Sequence, residues 1–171
     1  MLLTLCACGQ QGPAAPRDPA PAVASHLDAT ARAFVELTIA TDDQAVKLLD
    51  LGAGRASSPG MRAFAESLAA TRRAELREAH AILDPIPYVN YHEGHDMPGM
   101  PTDPELTTLS AAPDFDAYFA QLLRAHLTES TTVARAGATS IKDERARALA
   151  STMLTERGES LHELDRLAPG A

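Results

Sequence analysis

Sliding the 171-residue sequence past itself by 85 positions, without a gap, pairs Phe34 with Phe119, Leu37 with Leu122 and Gly52-Ala53 with Gly137-Ala138. The same shift pairs Arg62-Ala63 with Arg147-Ala148, Arg72 with Arg157, Leu76 with Leu161 and Glu78 with Glu163. Alanine pairs arise by chance in so Ala-rich a chain, but Phe, Gly, Arg and Leu pairs at one constant shift indicate a duplicated unit. Each copy reads as a helical hairpin. Apolar residues at helical spacing, including Phe34, Val35, Leu37, Ile39, Val46, Leu48 and Leu49, predict a first helix over about His26 to Ala53, with Gly52 and Gly54 as its stop. Ser58-Pro59, a cap followed by proline in the first turn, opens a second that runs to about Leu83, before Asp84-Pro85-Ile86-Pro87. The second copy predicts helices from about Pro113 to Gly137 and from about Lys142 to Ala168. The connector, residues 84–112, carries a short helix from Asp103-Pro104-Glu105 to Leu109. No stretch shows sustained strand alternation. Two hairpins with one apolar face each bury it best against one another, so the expected fold is all-α, a four-helix bundle over residues 26–168. A single core is expected, including Phe34, Leu37, Val46, Phe64, Phe119, Val133, Leu149, Met153 and Leu161.

Composition narrows the function classes. Aromatics are 4% of residues and Trp is absent, while abundant Ala favours helix. The net charge of −8 opposes nucleic acid or anionic lipid as a partner. No apolar run approaches the roughly 20 residues of a membrane-spanning helix. No nucleophile elbow, phosphate loop or cysteine–histidine pair is present, and the chain is expected to be non-catalytic. A di-iron site needs Glu-x-x-His on two helices, and that spacing occurs once, at Glu159 to His162.

The only cysteines are Cys6 and Cys8, so the folded part holds no disulfide. Leu5-Cys6-Ala7-Cys8 resembles a bacterial lipobox. The resemblance implies a lipoprotein signal over residues 1–8, cleavage before Cys8 and lipid on that cysteine, hence membrane anchoring on the bacterial cell envelope, at its periplasmic or extracellular face. The apolar run is short and lacks a preceding Lys or Arg, which points to a start codon placed too far downstream. Residues 9–25, rich in Pro, Ala and Gly, read as a flexible tether.

Two patterns carry candidate chemistry. The connector stretch His92-Glu93-Gly94-His95-Asp96-Met97-Pro98-Gly99-Met100 places two imidazoles and two thioethers within nine residues. Thioether and imidazole suit Cu(I), and imidazole with carboxylate suits Cu(II), so His92, His95, Met97 and Met100 are candidate copper ligands; the alternative is a polar loop without a ligand. The second pattern is an interruption of every apolar stripe near its middle: Asp42, Arg72, His126 and Arg157, one per long helix. Antiparallel pairing brings them to one level, where charges must pair or reach water. A polar layer is expected in which Arg72 meets Asp42 or Glu75 and Arg157 lies near His126 or Glu129. The alternative is that both Arg stems snorkel and keep their heads in water.

The repeated hairpin, the His/Met-rich connector with Met97-Pro98-Gly99-Met100, and Phe115-Asp116-Ala117-Tyr118-Phe119 resemble the bacterial domain of unknown function 305 family over nearly everything from Ala31 to Leu167. The first hairpin alone resembles a second ferritin-like family of unknown function about as well. The resemblance implies an exported, ferritin-like helical bundle with a link to copper handling. That family carries a Met-Ile-Pro-His-His type stretch in the first helix of each hairpin. Here those places read Leu37-Thr38-Ile39-Ala40-Thr41-Asp42 and Leu122-Leu123-Arg124-Ala125-His126-Leu127, so only His126 carries over as a metal ligand. Two functions follow as expectations: a metal-binding protein, most simply for copper, or a structural or protein-interaction bundle that has lost the metal chemistry. The protein partner is not specified by any motif.

Overall fold

The structure, a computed structural model, describes residues 27–90 and 97–169. The expected lipoprotein signal and tether, Cys8 among them, lie outside the described residues. The chain is all-α: α1 Ala29–Arg55, α2 Pro59–Leu83, α3 Asp103–Ala111, α4 Phe115–Ser140 and α5 Glu144–Leu167, with no strand among the described residues. Each start is capped by a side-chain oxygen that accepts an otherwise unpaired backbone N–H. Asp28 accepts from Ala31 at 2.8 Å, Ser58 from Met61 at 3.4 Å, Asp114 from Ala117 at 3.2 Å and Asp143 from Ala146 at 3.0 Å. Thr102 and Glu105 form a reciprocal capping box at α3.

The element boundaries repeat at the same shift as the residues. Moved by 85, α1 would span 114–140 and α2 would span 144–168, each within one residue of α4 and α5. The most extensive packing is within hairpins, α1 on α2 and α4 on α5, and the hairpins meet through α1 on α4 and α2 on α5. Short α3 lies against α4 and α1.

Two expectations change here. Gly52 does not stop α1, which continues to Arg55. Its role is close approach: a Cβ there would overlap the ring of Phe119. The repeat returns the favour, because a Cβ on Gly137 would lie 2.8 Å from the ring of Phe34. Each hairpin therefore inserts its phenylalanine against the other's glycine. The core is also two clusters rather than one. The first contains Leu48, Leu49, Ala65, Phe119 and Leu123; the second contains Phe34, Val35, Ile39, Leu149, Ala150 and Met153. They are repeat images, with Phe119 and Ala65 of the first matching Phe34 and Ala150 of the second. Several expected core residues, Leu37, Val46, Phe64, Val133 and Leu161, are only partly buried.

These glycines separate by sign. Gly52→Ala and Gly137→Ala should each destabilise by about 1–3 kcal/mol through overpacking. Gly158, inside α5 with nothing within 4 Å of a Cβ, should gain about 0.5–1 kcal/mol on replacement by Ala. Urea unfolding of the three variants measures this, and three effects of one sign would refute the close-approach reading.

Candidate functional site

Between the two apolar clusters lies a charged layer. Asp42, Arg72 and Arg157 are each 0% exposed and Glu75 is 4% exposed. Arg157 donates from Nη1 to Glu75 Oε1 at 2.8 Å and from Nη2 to Glu75 Oε2 at 3.1 Å, a two-pronged pairing. Its Nη2 also donates to Asp42 Oδ1 at 3.1 Å. Arg72 donates from Nη1 to Glu75 Oε2 at 2.8 Å, and its Nε stands 4.0 Å from Asp42 Oδ1. Four residues from α1, α2 and α5 thus share two positive charges and two carboxyl groups.

Arg157, expected near His126 or Glu129, puts its hydrogen bonds on the first hairpin's carboxyl groups; its charge acts on His126, while Glu129 is exposed on α4. Residue identity gives the reason. The repeat partners of Asp42 and Glu75 are Leu127 and Ser160, so the second hairpin lacks counterparts of those two acids. The arginines are duplicated; their acceptors are not.

Burial sets the protonation states. It raises Asp42 to about 8, against the pull of Arg157 and Arg72, and a proton shared with Glu75 adds to the rise. Burial would also raise Glu75, but Arg72 and Arg157 outweigh it and hold that carboxyl at about 2. Burial would lower Arg157, yet Asp42 and Glu75 leave it more basic than usual, whereas burial and the charge of Arg157 lower Arg72. Glu156 is raised by burial and by its neighbour Glu75.

Beside this layer His126 is 1% exposed. Burial, then Arg72 and Arg157, push its pKa to about 3, so the imidazole is neutral at ordinary pH. The backbone of Gly99, in the connector, works the other way and favours the protonated ring. The Nε2 of His126 is buried without a hydrogen-bond partner in the protein. Gly99 has φ 73°, and a Cβ there would lie 2.6 Å from Glu129 Cβ and 2.8 Å from the Ala125 carbonyl oxygen. Only glycine lets the connector sit this closely on α4.

The docked connector closes a cavity of about 200 Å³ against α1, α4 and α5. Its lining includes Met97, Met100, His126, Met153, Thr38, Thr41 and Glu129. Three of the chain's five methionines therefore face one space with one imidazole. Thr38 donates its hydroxyl to the Phe34 carbonyl at 2.9 Å, and its Oγ1 stands 4.0 Å from Met153 Sδ. Of the expected metal ligands the fold brings together Met97, Met100 and His126; His92 and His95 lie outside the described residues. Met153 was not anticipated as a ligand, since at helical spacing it reads as core. Its repeat partner is Leu68, and that departure from the copy was the available signal. His80 and His162 are exposed, as surface histidines should be. Among the described residues no group of three or more His, Cys, Asp or Glu is placed to hold a metal.

Residues 87–168, which span the docked connector and the second hairpin, match the sequence profile described as Domain of unknown function (DUF305). That segment belongs to the DUF305 family. The fold of the chain is also that of solved structures. A DUF305 fragment from Deinococcus radiodurans matches with TM-score 0.70 at 18% identity, over 82% of this chain and 96% of that one. CopM in a Cu(II)-bound form matches with TM-score 0.71 at 17% identity, over 80% and 94%. CopM in an Ag-bound form matches with TM-score 0.64 at 16% identity, over 80% and 93%. No curated protein matches the chain.

The layer gives the protein a defined pH response. Asp42 binds its proton more tightly folded, at about 8, than unfolded, near 3.8. Its contribution is full below the unfolded value and is lost as pH rises toward 8. Glu75, lowered to about 2, and His126, lowered to about 3, contribute above their unfolded values and lose that contribution as pH falls. Between pH 6.5 and 8 only Asp42 among these changes charge. Stability should therefore fall across that window, by at most about 1.4 kcal/mol per pH unit. Asp42→Asn should flatten the slope, read as Tm against pH; the same slope in the variant would refute the assignment.

Proposed function

We propose that this chain is a non-catalytic metal-binding protein, a ferritin-like four-helix bundle that takes a soft metal, copper above all, in the cavity under its connector. The observation that carries the reading is His126. Its Nε2 is buried without a protein partner, in a residue that lines a cavity with three thioethers. Thioether and imidazole together select soft, electron-rich ions such as Cu(I). A cavity of about 200 Å³ is below the size of ordinary organic-ligand pockets and suits an ion. His126, Met97, Met100 and Met153 would hold the metal, and the connector would supply two of these donors. Similarity of fold to CopM, solved in Cu(II)-bound and Ag-bound forms, supports the same reading.

A structural or protein-interaction role is the second reading, and the charged layer favours it. Arg72 and Arg157 fill the centre of the helices with cations, leaving His126 as the family ligand that remains. Titration with Ag⁺, a stand-in for Cu(I), separates the two. The metal reading expects tight binding that weakens by at least about tenfold in His126→Ala and again when Met97 and Met100 become Leu. Binding unchanged by all three substitutions would leave the structural reading.

We further propose export and lipid anchoring in the envelope, supported by Leu5-Cys6-Ala7-Cys8 followed by the Pro/Ala-rich residues 9–25. Lipid chains contribute about 0.8 kcal/mol per buried CH₂, so partition should be clear. Expressed in a bacterium behind a complete upstream signal, the protein should enter the detergent phase, and Cys8→Ser should return it to the aqueous phase. Equal partition of the two would refute the anchor.

A further inference from the structure

We propose that Met97 and Met100 form a peroxide-sensitive modification site, at which oxidation of the two thioethers to sulfoxides releases the metal, a role that rests on the metal reading above. The turn over residues 97–100, closed by the Met100 N–H on the Met97 carbonyl at 3.0 Å, is a wall between two spaces. On its inner side lies the cavity shared with His126 and Met153. On its outer side lies an open cleft of about 500 Å³, bounded by Thr102, Glu105, Leu122 and Ala125. Met97 and Met100 line both. Both are partly exposed, whereas Met61 and Met153 are each 2% exposed. Hydrogen peroxide, little larger than water, therefore reaches two of the four methionines among the described residues and not the other two. Oxidation of sulfur follows such access.

The step is a two-electron transfer of oxygen. A sulfur lone pair attacks one peroxide oxygen, the S–O bond forms as the O–O bond breaks, and the departing hydroxide takes the proton left on the transferred oxygen and leaves as water. Sulfur is oxidised and the peroxide reduced. Two consequences follow for the cavity. A soft thioether donor is lost, and an apolar side chain becomes a polar one whose new oxygen needs a hydrogen-bond donor. The hydroxyls of the lining are already committed to their own helices: Thr38 donates to the Phe34 carbonyl at 2.9 Å, Thr41 to the Leu37 carbonyl at 3.0 Å and Ser130 to the Leu127 carbonyl at 3.4 Å. The unpartnered ring nitrogen, Nε2 of His126, could serve a sulfoxide only as an N–H donor, and a nitrogen so occupied cannot hold a metal. Either outcome empties the site. The converse also holds: a bound ion occupies the lone pairs that would attack peroxide, so metal shields the same two sulfurs.

The experiment uses the full chain with Cys6→Ser, Cys8→Ser, His92→Ala and His95→Ala, so that thiols and the other connector imidazoles neither bind metal nor consume oxidant. The probes are hydrogen peroxide and Ag⁺, which stands in for Cu(I) because Cu(I) would itself react with peroxide. Peptide mass spectrometry should find Met97 and Met100 oxidised at least about tenfold faster than Met61 and Met153. Saturating Ag⁺ should slow oxidation of the connector pair by at least about tenfold, and His126→Ala should remove that protection. Once peroxide is removed, Ag⁺ affinity should be at least about tenfold weaker with helix content unchanged by circular dichroism, and methionine sulfoxide reductases for both epimers should restore it. In the Met97→Leu, Met100→Leu double variant the remaining His126-dependent affinity should not respond to peroxide, because Met153 is sealed. Oxidation spread evenly over the four methionines, loss of helix on oxidation, or an undiminished His126-dependent affinity after both sulfoxides form would overturn oxidative release while the metal reading stands. If the untreated chain shows no His126-dependent Ag⁺ binding, the metal reading falls, and the release with it.

Discussion

The guanidinium of Arg157, sealed from water on α5, holds Glu75 on α2 with two prongs and Asp42 on α1 with a third bond. Much of the register of the structure depends on this one group. Helices that slide past one another keep most of their apolar contact, because one leucine substitutes tolerably for another. A buried arginine has no such latitude: displaced by one turn, about 5.4 Å, it would lose all three bonds and remain a charge without a partner. The layer also explains why the core is double. Apolar packing runs along the four long helices from each end and stops where Asp42, Arg72, Glu75 and Arg157 occupy the middle.

The duplication sharpens this picture. Arg72 and Arg157 are copies, as are Phe34 and Phe119 and the glycines that receive their rings. These are the features a two-fold arrangement can satisfy twice with one solution. The acids and the histidine are not copies. Asp42 faces Leu127 across the repeat, Glu75 faces Ser160, and Thr41 faces His126. One carboxylate taking two cations does the work of two separate pairs, so a single set of acids suffices for both arginines. The second copy then needs no counterpart of Asp42, and the same level of α4 is left for an imidazole. The connector, which has no repeat image within the described residues, brings Met97 and Met100 to that imidazole's side. Symmetry thus builds the scaffold, and its local breakdown marks where the unusual chemistry lies.

Periodicity alone located much of this. Helix starts were legible because Asp, Ser and Thr caps precede apolar runs, and the layer was legible because a charge on an otherwise apolar stripe stands out at spacing 3.6. What periodicity cannot give is which of several residues at one level touch. Arg157 lies at the same height as His126, Glu129, Asp42 and Glu75, and its choice depends on side-chain reach across helices, a matter of three dimensions. Gly52 misled for a related reason. Near a helix end glycine is most often a stop, and only the ring of Phe119, 67 positions away, reveals it as a seat. Met153 was hidden because thioether and leucine are interchangeable in an apolar pattern, though not to a metal ion. Residues 1–26 and 91–96 carry Cys8, His92 and His95, whose roles stay with the sequence.

The layer is not what a search for stability would choose. Asp42 Oδ2, Nε and Nη2 of Arg72, Nε of Arg157 and Nε2 of His126 are all buried without a hydrogen-bond partner in the protein. Each such group costs on the order of 1–3 kcal/mol relative to one that is satisfied. Replacing a buried ionic cluster by apolar side chains of similar volume is commonly neutral or stabilising. Leu127 and Ser160, the repeat partners of Asp42 and Glu75, show that this fold accepts uncharged residues at those places. A protein that keeps two buried cations beside a neutral, unpartnered imidazole retains a field that packing does not require. Pairing as register device accounts for Arg157, whose bonds are nearly complete. It accounts less well for Arg72, which makes one short contact, to Glu75, while its Nε stands 4.0 Å from Asp42 Oδ1 and neither Nε nor Nη2 has a hydrogen-bond partner in the protein.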